Sequence, residues 1–103
     1  MSLCPETELA TLQSWGFIPL DQKYENELLG VASTVYRVVS SEKKTPPEPA
    51  DCVTPLKFAL LTSPGFGSML RGIVNLKPQN YQLFAGMMAR YLLENYWLEI
   101  QRI

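Results

Sequence analysis

Residues 79–101 read QNYQLFAGMMARYLLENYWLEIQ, and the interpretation of this stretch decides the fold. At 100° per residue it predicts one continuous helix that is apolar on nearly every side. Tyr81, Phe84, Ala85, Met88 and Leu92 fill one broad face, and Met87, Tyr91 and Leu98 extend it. Gly86, Leu93 and Trp97 carry the apolar surface further round. Arg90, Glu94 and Gln101 make a polar stripe only about 40° wide, and Leu83 intrudes even there. Such a helix has to be covered on almost all sides, so the other segments are expected to be its cover. The flank of Gly86, Leu93, Trp97 and Ile100 lies away from the broad face, and the short upstream helices are too few to reach both. This flank is therefore expected to meet another protein chain, most simply a second copy in a homodimer.

Upstream, the spacing predicts four more helices. Pro5 suits a first helical position, where its missing N–H would be unpaired in any case, and Glu6 and Glu8 favour the helix dipole. Gly16 supplies a left-handed stop, with Leu12 and Phe17 spaced for the hydrophobic contact of a Schellman end. Asp21 is a good N-cap for a helix over 22–41. That segment is rich in β-branched residues, but its periodicity is helical. Tyr24, Leu28, Leu29, Val31, Ala32, Val35, Tyr36, Val38 and Val39 share one half, with Glu25 the one polar residue among them. Read as a strand over 31–39, it would place Val31, Ser33, Val35 and Arg37 together on one face.

Thr54-Pro55 opens a short helix over LKFALLT, and Ser63-Pro64 opens another over GFGSMLRGIVNL. In the second, Phe66, Met69, Leu70, Ile73, Val74 and Leu76 lie opposite Gly67, Ser68, Arg71, Gly72 and Asn75. Between the halves, residues 42–51 read EKKTPPEPAD, whose prolines predict an extended, solvated Pro-rich linker between N-terminal and C-terminal helical parts. The expected fold class is all-α, a small irregular helical bundle of about five helices with the long C-terminal helix central. It forms a single helical domain over 1–103. The alternative is a small α+β fold in which KFALL and WLEIQRI are strands.

A chain of 103 residues buries about 65% of its unfolded surface, enough for one modest core. Hydrophobic content of 47% against 18% charged residues points to a globular chain and away from disorder. No run reaches the roughly 20 apolar residues of a membrane span. The N-terminus has no basic, apolar leader pattern, and Ser2 stands where myristoylation needs glycine. No membrane association is expected, and a cytoplasmic location follows as the simplest expectation. There, Cys4 and Cys52 are expected as two thiols rather than a disulfide. Residues 1–52 carry four cations against eight carboxylates and residues 53–103 five against two, so the halves attract each other.

The chain has no histidine, which removes the usual general base, and no CxxC pair, so neither an enzyme, a metal site nor a cofactor is expected. The turn SPGFGS at 63–68 looks anion-binding but lacks a Walker lysine and any GxGxxG context. Asn95 falls among apolar neighbours and is expected to bond a backbone carbonyl. No stretch resembles a known family. The function these features favour is a non-enzymatic protein–protein interaction module, an adaptor, assembly factor or regulatory subunit. The alternative is a nucleic-acid-binding regulator using a helix-turn-helix-like pair at 54–76, with Ser68, Arg71 and Asn75 as its contacts. A net charge of −1 makes nucleic acid the less favoured partner.

Overall fold

The computed structural model describes residues 3–103, so the reading of Ser2 lies outside the described residues. Among the described residues there are six α-helices: α1 (Glu6–Ser14), α2 (Gln22–Glu42), α3 (Val53–Leu61), α4 (Pro64–Arg71), α5 (Tyr81–Asn95) and α6 (Trp97–Arg102). Short 3-10 turns at Pro49–Cys52 and Pro78–Asn80 lead into α3 and α5. There is no strand among them, and KFALL and the WLEIQR part of the second candidate strand are helical. The protein is a small all-α fold.

The long C-terminal helix is not continuous. Its ladder of α5 ends as Tyr96 N–H donates to the Leu92 carbonyl, and that of α6 begins as Ile100 N–H donates to the Tyr96 carbonyl. Tyr96 sits between them with φ −125° and ψ 23°, outside helical geometry. Redirected at this point, α6 docks on α2, where the Trp97 and Tyr36 rings meet edge to face at 5.4 Å.

The packing overturns the expectation of an uncovered flank: within α5, Gly86 lies beside Lys57 of α3, and beyond the break α6 turns onto α2. Leu93 and Ile100 are both 0% exposed, Gly86 is buried and Trp97 is half-buried. An unbroken helix would need cover on every face along its whole length. A broken one turns its last residues back onto the bundle, and the flank becomes core.

The narrow polar stripe is the track for α1, which runs antiparallel to α5. The Cys4 N–H donates to Glu94 at 2.6 Å, and Arg90 holds Glu8 through two bonds of 2.7 and 2.9 Å. At the other end Trp15 meets Phe84 edge to face, with ring centroids 5.5 Å apart. Gly16, at φ +80°, closes α1 as expected: Phe17 N–H donates to the Leu12 carbonyl and Gly16 N–H to that of Gln13.

α2 is helical throughout its β-branched run, capped by the Asp21 carboxylate accepting from Lys23 N–H. One residue of its predicted polar half, Ser33, is buried and donates to the Ile103 carbonyl oxygen at 3.3 Å. The Pro-rich segment is less solvated than its composition suggests. Pro47 is buried, and Asp51 accepts from the Glu48 N–H at 2.8 Å and pairs with Lys43 at 2.9 Å. The Glu48 N–H and then Lys43 hold the Asp51 carboxyl below its usual range. The resulting 3-10 turn rests on α5 and runs directly into α3, which starts at Val53 rather than after Thr54.

The core draws on every helix. Leu12, Leu28, Leu56, Leu60, Phe66, Met88, Leu92, Leu93 and Ile100 are fully buried, each worth about 1.5–3 kcal/mol of transfer free energy. α3 is the main cover of α5.

A candidate binding cleft between the α1–α2 connector and α4

The tight end of α1 has a consequence for the surface. The chain reverses at Gly16, buries Phe17, Ile18 and Leu20, and enters α2 at the Asp21 cap, passing a cis Ile18–Pro19 peptide. With Phe17 drawn inward against Phe66 and Phe84, Trp15 is left on the outer side of the turn at 38% exposure. Across from it α4 presents Ser68 and Met69, and the turn after α4 presents Gly72 and Ile73. The space between is a cleft of about 630 Å³, closed on the α2 side by Tyr24 and bordered by Pro19 and Asp21.

The charge of this cleft is one-sided. α1 ends at its C-cap Trp15 and α4 at its C-cap Gly72, and both residues line the cleft, so two negative dipole ends border it. Asp21 adds a carboxylate, one of whose oxygens already accepts from Lys23 N–H at 2.9 Å. Among the described residues no lysine or arginine lines the cleft. Lys23 reaches over the Tyr24 ring instead, 5.4 Å from its centroid, and the Arg71 guanidinium lies back over Gly67.

The residues singled out by sequence are scattered by the fold. Ser68 lines the cleft, and Arg71 is exposed on the last turn of α4. Asn75 lies beyond the helix in a left-handed turn at φ 84°, so Ser68, Arg71 and Asn75 do not form one helical reading face. α4 stops at Arg71 because Gly72, then β-branched Ile73 and Val74, are weak helix formers, and Val74 ends 81% exposed rather than on an apolar face. Gly86, Leu93, Trp97 and Ile100 share the interior flank described above.

The anion-like turn at 63–68 has an anion of its own. Ser63 caps α4 without a side-chain bond to it, and the Glu27 carboxylate of α2 does this work. Its Oε2 accepts from Ser63 Oγ at 2.7 Å and from the Gly65 N–H. A smaller cleft of about 380 Å³ lies beside this contact, lined by Val31, Val35, Ala59 and Pro64.

Asn95 donates to the Tyr91 carbonyl at 3.0 Å, as expected, but it is exposed rather than in the core. Glu25 is half-buried and accepts a long bond of 3.4 Å from the Tyr96 hydroxyl. Cys4 and Cys52 are both buried, and burial pushes both thiols up, away from reactive thiolate. Among the described residues no group of three or more Cys, Asp or Glu is placed to hold a metal ion, and no helix is long and apolar enough to cross a membrane.

Sequence reasoning missed the cleft. Trp15 reads as an apolar residue of α1, and one side of its indole does pack, meeting Phe84. A signal was present in the pairing of a tryptophan with a helix-ending glycine and a proline three residues on. Such a turn can pull its following aromatic inward and leave the preceding one outside. Comparison of the chain with protein-family models, curated proteins and solved structures finds no match.

Proposed function

We propose that this protein is a non-enzymatic protein–protein interaction module, an adaptor, assembly factor or regulatory subunit, that engages its partner in the Trp15–Tyr24–α4 cleft. One observation carries the reading: an exposed tryptophan on the wall of a cleft of about 630 Å³ that mixes apolar and polar surface. Tryptophan and tyrosine are enriched where proteins meet and dominate the energy of such contacts. The lining supports binding better than catalysis, because among the described residues Asp21 and Tyr24 are its only ionisable side chains and Asp21 serves as a helix cap. Self-association loses the surface that suggested it, since Leu93 and Ile100 are fully buried within one chain.

The test is affinity purification from the native host with the wild-type chain beside Trp15→Ala and Ser68→Arg, each checked for folding by circular dichroism. A partner retained by the wild type and lost by both variants is the expected result. Equal recovery on all three chains would sink the proposal. The nucleic-acid alternative keeps Ser68 and Arg71 on an exposed helical surface, and its mark would be affinity that falls steeply with salt and disappears on Arg71→Glu.

A further inference from the structure

Resting on the cleft as the binding surface, we infer that it recognises a basic segment of the partner protein, receiving an arginine side chain whose guanidinium meets Asp21. The walls suit the stem of such a side chain. Trp15 offers an aromatic face, on which a planar guanidinium stacks more favourably than an ammonium does, while one face of Tyr24 already carries Lys23. The end of the cleft suits its charge. Two helix C-termini and one carboxylate border the cleft, and the start of α2, whose dipole end has the opposite sign, is already met by Asp21 itself.

Lys23 and Arg71 are next in sequence to lining residues, and neither lines the cleft. Lys23 lies over the Tyr24 ring and Arg71 over Gly67, which leaves one oxygen of Asp21 without a cation in the lining. An acidic segment would face the Asp21 carboxylate and the negative dipole ends of α1 and α4. A purely apolar one would leave the second carboxylate oxygen desolvated and unpaired, which is costly.

The experiment is selection of a phage-displayed random heptapeptide library on the full chain, followed by solution titration of synthetic peptides. The selected peptides are expected to carry arginine, and replacing it by citrulline should weaken binding about tenfold, as loss of a charge-assisted hydrogen bond does. Asp21→Asn should weaken binding by a similar factor while leaving α2 capped, because asparagine is an equally good N-cap. Ser68→Lys, at an exposed position on the cleft wall, should compete with the incoming cation and weaken it further. Urea midpoints of both variants monitor folding. Acidic or purely apolar selected peptides, insensitive to Asp21→Asn but lost on Trp15→Ala, would overturn the basic-partner inference and leave the binding cleft standing. Peptides indifferent to both Trp15→Ala and Ser68→Lys, or no selected peptides at all, would remove the cleft as the binding surface as well.

Discussion

Glu27 shows how one side chain changes the meaning of a motif. In the sequence, SPGFGS resembles a turn prepared for a phosphate, with open N–H groups at a helix start. In the fold those donors are met by a carboxylate 36 residues away, on a helix face that looks merely solvated. The same contact distinguishes two glycines. A Cβ at Gly65 would overlap the Glu27 carboxylate, so Gly65→Ala should displace it from Ser63 Oγ and, set against about 1 kcal/mol of helix propensity gained, cost up to about 2 kcal/mol. At Gly86 an added Cβ meets Arg90 Nη1 at 3.5 Å, an ordinary contact, so Gly86→Ala should stabilise the interior of α5 by about 1 kcal/mol. Urea denaturation of the two variants checks the opposite signs.

The break between α5 and α6 is the element that organises the C-terminal half. Asn95 directs its amide to the Tyr91 carbonyl, offering the backbone a competitor to its own ladder just where the helix stops. Tyr96 then leaves helical geometry and turns its hydroxyl towards Glu25, while its ring meets that of Tyr91 at 6.1 Å. Burial, then Tyr91 and Glu25, push the Tyr96 hydroxyl up from 10.0 to about 12. An acid whose folded value is raised binds more protons folded than unfolded in that interval, so its contribution is complete below pH 10 and lost as pH rises to about 12. Tyr96→Phe removes this contribution. Urea midpoints across the interval should therefore fall less steeply for Tyr96→Phe than for the wild type, and parallel slopes would count against the assignment.

At the level of the whole molecule, the flank once expected to face a partner belongs to the core. Leu93→Ala and Ile100→Ala should each lower stability by about 2–5 kcal/mol, the range for large-to-small changes at buried sites. Light scattering of the two folded variants should give the same mass as the wild type. A change of mass with stability intact would return the flank to the surface. The sequence made the opposite reading natural, because it counted the helices available to cover a straight C-terminal helix. That helix bends, and α1 is held to its polar stripe by the Glu8 and Arg90 pair, partners 82 residues apart.

What could be read from the residues alone was local. The helical period of 22–41, the Asp21 cap and the Schellman end at Leu12 to Phe17 each depend on groups within about one turn of each other. The same holds for the all-α class. Which faces are covered, which donors find an anion, and where a tryptophan is left exposed depend on segments brought together from across the chain. Burial is a property of the assembled bundle: α3 covers α5, and the change of direction at Tyr96 brings Ile100 in against the bundle. The cleft at Trp15 has the same origin, since neither α4 nor the 15–24 segment forms a concave surface without the other.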